Sequence, residues 1–100
     1  MVKELNKENF ENETKEGVCV IDFWASWCGP CRMMAPVIER LAEKRSELKF
    51  FKVNVDEQEE LAMKFNVMSI PTFVALRDGK LTATTLGYMP EETLVSELGI

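Results

Sequence analysis

One hundred residues, 46% hydrophobic and 29% charged, make a chain long enough to bury one core, too short for two, and too apolar to stay disordered. Twelve basic residues stand against seventeen acidic ones, and the formal charge of -5 has the wrong sign for neutralising phosphates, which argues against nucleic acid and anionic membrane as partners. Histidine is absent, so imidazole is removed from catalysis, zinc ligation and haem ligation. No apolar run of about 20 residues is present, and Met1–Glu8 lacks the apolar stretch of a secretory leader. One domain over residues 1–100, in the cytoplasm, is the expectation.

Val2 to Leu5 reads as a short edge strand, followed by a charged helix that Asn6 caps and that runs to about Thr14 with Phe10 turned inward. Val18 to Trp24 is nearly continuous apolar and rich in β-branched and aromatic residues, the pattern of a central strand covered on both faces. From about Cys28 to Arg45, Met33, Met34, Val37, Ile38 and Leu41 recur at helical spacing and predict the longest helix. Pro36 inside it removes a backbone donor, which predicts a kink near Arg32 and Met33 without a break. Leu48 to Val55 reads as a second buried strand. Asp56 with Glu59 resembles a capping pair for a helix through about Phe65, and Asn66 suits a left-handed stop.

Thr72 to Arg77 and Lys80 to Leu86, joined by Asp78-Gly79, form the strongest hairpin signal in the chain. A last helix is expected to begin near Pro90, a residue favoured at a first helical position, with Glu91 and Glu92 complementing its dipole and Leu94, Val95 and Leu98 facing inward. Strands alternating with helices, then a hairpin and a closing helix, predict an α/β protein of order βαβαβαββα. Its sheet is mixed and carries helices on both faces.

Three cysteines are present, two of them spaced C-x-x-C at Cys28 and Cys31, where a buried strand gives way to a long helix. Free backbone N–H groups and the helix dipole favour a thiolate at Cys28, making it the nucleophile, while Cys31 one turn on is expected to be less exposed. The spacing lets the two form a reversible disulfide. Pro30 fits the first helical turn, and Gly29 permits close approach of a substrate chain. The competing reading, half of a zinc site, lacks ligands, because only Cys19 remains and there is no histidine. No metal site is expected.

Asp22-Phe23-Trp24-Ala25-Ser26-Trp27-Cys28-Gly29-Pro30-Cys31 and Arg32-Met33-Met34-Ala35-Pro36 resemble the thioredoxin family. The likeness continues through Val53-Asn54-Val55-Asp56, Ile70-Pro71-Thr72, Asp78-Gly79-Lys80 and Gly87. Gly-Pro between the cysteines is similar to the reducing thioredoxins, whereas disulfide isomerases typically have Gly-His and glutaredoxins Pro-Tyr. The resemblance implies the thioredoxin fold and a monomeric protein-disulfide reductase acting on disulfide-containing proteins. It implies recycling by a thioredoxin reductase, with no metal or organic cofactor taking part. It places a buried aspartate on Asp22 and its lysine partner on Lys52. It also groups Trp24, Trp27, Ile70, Pro71, Gly87 and Tyr88 around the cysteines as a docking surface, with Ile70–Pro71 in cis. The rival reading is a module of the same fold that binds without turnover.

Several residues carry two readings. Asp22 is either a carboxylate reaching water or a helix cap, or a desolvated base that takes the Cys31 proton. Lys52 is either solvated or partnered to Asp22. Trp27 either packs on the helix start or serves docking. Met33, Met34, Met63 and Met68 read as core filler rather than a soft ligand box, and Cys19 as a small buried hydrophobe on the face opposite Asp22. Tyr88-Met89-Pro90 departs from the smaller, more polar residues often found after the family's glycine, which bears on partner preference.

Overall fold

The computed structural model describes residues 1–100 as β1 (Val2–Glu4), α1 (Phe10–Thr14), β2 (Val18–Trp24), α2 (Gly29–Lys44), β3 (Lys49–Asn54), α3 (Glu59–Lys64), β4 (Thr72–Arg77), β5 (Lys80–Leu86) and α4 (Glu91–Leu98). The strands form one sheet in the order β1-β3-β2-β4-β5. β2 is central, parallel to β3 and antiparallel to β4.

Alternation along the strands explains the two-sided core. Val20, Phe50, Phe73 and Ala75 point to one face, where Met34, Ile38 and Leu41 of α2 and Leu94 and Leu98 of α4 cover them. Cys19, Ile21, Phe23, Phe51, Val53, Val74 and Leu76 point to the other, against Leu61 of α3 and the partly buried Phe10 and Phe65. The Phe10 and Phe65 rings meet edge to face at 5.7 Å. Cys19 is fully buried, as its strand position predicts. Burial also pushes its thiol pKa up, against the pull of Lys49, so it is held as the neutral thiol. α2 runs through Pro36 without a break.

Some local expectations need correction. α1 starts only at Phe10, but Asn6 does cap the turn that leads into it: its Oδ1 accepts from the N–H groups of Glu8 and Asn9, each at 2.9 Å, and its carbonyl from that of Phe10. Asp56 does not cap α3. Asn54 organises that turn, its Oδ1 accepting from the Asp56 N–H at 2.9 Å and its carbonyl from the Glu57 and Gln58 N–H groups. The helix begins at Glu59 with no side-chain cap. Pro90 is the N-cap of α4, one place before the first helical residue. Of the four methionines read as core, only Met34 is buried, while Met33, Met63 and Met68 are exposed. Met33, about 100° round the helix from Met34, falls beyond the edge of the buried stripe that Met34, Val37, Ile38, Leu41 and Ala42 form.

Asp78 and Gly79 both have positive φ, at 51° and 84°, as a tight two-residue hairpin requires. Asp78 also ties the turn to the loop before β2: its Oδ1 accepts from the Gly17 N–H at 2.8 Å, and its own N–H donates to the Gly17 carbonyl at 2.9 Å. Asp78→Ala loses the carboxylate bond and keeps the left-handed backbone, so a loss of about 1–2 kcal/mol is expected. Urea unfolding at neutral pH checks it, and a change within error of zero refutes this account of the turn.

Candidate active site

The carboxyl end of the central strand opens into the loop 25–28, and the next helix begins at once. Cys28 is the N-cap of α2, in extended conformation, and its Sγ accepts from the Cys31 N–H at 3.2 Å. The sulfur thus lies against the helix N-terminus, where positive charge from the dipole and unpaired N–H groups concentrates. Cys28 and Cys31 are joined in a disulfide with Cα atoms 5.3 Å apart. The two residues are 5% and 4% exposed, so the expected difference in exposure is absent in this oxidised state. Pro30 occupies the first helical turn and is exposed beside the pair. A Cβ added to Gly29 would meet only the Arg32 guanidinium, at 3.9 Å, so the fold itself leaves this glycine open to an incoming chain.

Behind the disulfide lies a cavity of about 160 Å³ lined by Asp22, Trp24, Cys31, Arg32, Ala35 and Lys52. Asp22 is buried, its Oδ1 has no hydrogen-bond partner, and it caps none of the helices. Burial pushes its carboxyl pKa up to about 7, against the opposing pull of Lys52. The β2–β3 register sets Asp22 opposite Lys52. The half-buried lysine makes no ion pair within 4 Å of Asp22, and its Nζ lies 5.8 Å from the centroid of the Trp24 ring. The Trp24 indole N–H is buried without a partner.

In front of the disulfide, Ala25, Cys28 and Cys31 form a small cluster against which Trp24, Val55 and Ile70 pack. An apolar groove of about 380 Å³ adjoins it, walled by Trp27, Val55, Ala62, Val67, Met68 and Ile70. Trp27 is 67% exposed, so it does not pack into the helix start. Its indole N–H instead donates to Asp56 Oδ2 at 2.8 Å, which holds the ring as a wall of the groove. The Ile70–Pro71 bond is cis. The Thr72 hydroxyl donates to the Ser69 carbonyl, fixing the loop that carries this bond.

Gly87 joins the group through its N–H, which donates to the Pro71 carbonyl at 2.9 Å with φ at +89°. Tyr88 follows it and is half exposed, whereas Met89 turns inward and its N–H faces the Met34 sulfur at 3.5 Å. The sequence assigns Asp56 to a helix cap and gives no sign of its bond to Trp27, nor of Val55 and Val67 as groove walls; Met68-Ser69, by contrast, is legible as bordering the docking surface because it directly precedes Ile70.

Comparison with known proteins finds relatives over nearly the whole chain. A family model described as thioredoxin matches residues 1–99. The thioredoxin of Listeria monocytogenes is 53% identical over 95 residues, which is 94% of this chain and 92% of that protein. That of Bacillus subtilis is 50% identical over 88 residues, 87% of this chain and 85% of that one. Among solved structures, Malassezia sympodialis thioredoxin superimposes with a TM-score of 0.86 at 35% identity, covering 96% of this chain and 87% of that chain.

Proposed function

Because the chain belongs to the thioredoxin family and works by dithiol/disulfide exchange, we propose that Cys28 is the attacking thiol of a protein-disulfide reductase and Cys31 the resolving one. The Cys28 thiolate attacks one sulfur of a target disulfide, forming a mixed disulfide and releasing the target's other sulfur as a thiolate that takes up a proton. Cys31 then gives up its proton, attacks Cys28 Sγ and breaks the mixed disulfide. Two electrons have passed to the target, which leaves as a dithiol, and the Cys28–Cys31 disulfide remains. The observation that carries this reading is the cysteine pair itself, closed as a disulfide on a helix N-terminus.

Asp22 is the base for Cys31 in this proposal. It lines the same cavity and its pKa of about 7 lets it accept and return a proton near neutrality. Lys52 tunes that carboxylate from the neighbouring strand. Trp27, Gly29, Pro30, Ile70, Pro71, Gly87 and Tyr88 form the docking rim, with the backbone at Ile70 offered to the target as an added strand.

Targets are disulfide-bearing proteins, and a thioredoxin reductase restores the dithiol. Residues 1–100 act as one monomeric domain, since both reacting sulfurs belong to one chain. A cytoplasmic setting, which keeps the odd Cys19 reduced, belongs to the same proposal. No helix is long and apolar enough to cross a membrane.

The test is dithiothreitol-driven reduction of insulin, followed as precipitation of the freed chain. Catalytic amounts of the protein should bring precipitation on many-fold sooner than dithiothreitol alone. Equal onset times overturn the general-reductase reading and favour a binding module of the same fold.

A further inference from the structure

The apolar groove in front of the disulfide is bordered on one side by a run of carboxylates. Val55 walls the groove and Asp56 follows it in the chain, hydrogen-bonded to the groove's own Trp27. From there Asp56, Glu57, Glu59 and Glu60, with Glu8, line an adjoining depression of about 250 Å³. Its one cation, Lys7, lies 3.7 Å from Glu60. All five carboxylates are exposed. Of the other cations at this end of the molecule, Lys52 lines the cavity behind the disulfide, Lys64 lies over the Phe10 ring at 5.7 Å, and Arg32 is exposed beside Gly29, its guanidinium donating to the Ser26 carbonyl at 2.9 Å; none of the three lines the acidic depression. A chain seated in the groove beside Trp27 therefore passes from an apolar wall to a field of nearly uncompensated negative charge.

We propose that this groove selects target disulfides whose flanking segment carries lysine or arginine, the cation meeting the Asp56–Glu60 carboxylates while the neighbouring residue sits against Trp27 and Ile70. The proposal rests on the disulfide-reductase reading and adds a target class to it. Exposed charges at this range act mainly on encounter: they raise the association rate of an oppositely charged partner and lose that effect when salt screens them. The preference is thus expected in kcat/KM at low ionic strength, with the exchange step itself unchanged.

Two disulfide-cyclised peptides of equal length distinguish the outcomes, one carrying lysines two and four residues beyond a cysteine and the other glutamates at the same places. The reduced protein should act on the lysine peptide with a kcat/KM about ten-fold higher at low ionic strength, a ratio falling below about two at high salt. Glu57→Gln/Glu59→Gln should cut that ratio at least about three-fold. Glu39→Gln/Glu43→Gln changes the net charge equally on the exposed side of α2 and should leave the ratio unchanged. Equal rates on both peptides, or an equal effect of the two double variants, overturn the inference while leaving the reductase reading intact. Failure to reduce either peptide overturns both.

Discussion

Cys28→Ser is expected to reduce insulin no faster than dithiothreitol alone, whereas Cys31→Ser is expected to lose turnover while accumulating a covalent mixed disulfide with its target. The asymmetry follows from the order of the two exchanges. Without Cys28 no bond to the target forms. Without Cys31 the bond forms and nothing within the chain can break it. Non-reducing gels of each variant after incubation with an oxidised target read the outcome directly. In the reduced wild-type protein at neutral pH, iodoacetamide should carboxymethylate Cys28 before Cys31, because the sulfur at the N-cap is the one stabilised as a thiolate. Trapping by Cys28→Ser, or faster labelling of Cys31, would reverse the assignment.

Asp22→Asn should stabilise the protein and slow it at once. The carboxyl has a folded pKa of about 7, raised by burial, against an unfolded value near 4. The native state therefore binds the extra proton across that interval, and stability falls as pH rises from about 4 to about 7 before levelling off. Asparagine does not titrate, so the variant's advantage is absent near pH 4 and reaches about 2–4 kcal/mol above pH 7, less than the full linkage because an unpaired amide remains in the cavity. Urea titrations at three pH values test the sign. Over the same range, resolution of the mixed disulfide should slow, with its pH dependence near 7 abolished. A stability difference independent of pH would refute the buried-acid account.

The parts of the fold that were legible are those whose signals are local. β2, β4 and β5 begin and end where their apolar runs and the Asp78-Gly79 turn place them. The start of α3 was misread because Asn54 and Asp56 are both competent to hold a turn, and the choice between them is settled by a distant group, the Trp27 indole, which engages Asp56. Methionine gives little guidance, since an unbranched thioether is as compatible with the rim of a groove as with a core, and Met68 is 92% exposed. The cysteine pair declares itself by spacing alone. The juxtaposition of Asp22 with Lys52, and of Ile70 with the cysteines, depends on strand order and register, which no local signal carries and which, short of the assembled sheet, only the family resemblance implies.

The reversed direction of β4 has a consequence for assembling such a site from a short chain. β2 delivers the cysteines from its carboxyl end, so any other loop meeting them must emerge at the same end of the sheet. β3 does so by running parallel to β2, which brings Val55 and Asp56 there as the chain leaves the strand. β4 runs the opposite way, so it contributes the segment that enters it, Ser69-Ile70-Pro71, and not the one that leaves. Had β4 been laid down in the same sense as its neighbour, that segment would sit a strand length away, roughly 20 Å at 3.4 Å per residue, and the Asp78-Gly79 turn would face the sulfurs instead. One inverted strand thereby lets an approach segment and two departure segments share a single edge, and the hairpin returns β5 to the same edge so that Gly87 can close it against Pro71.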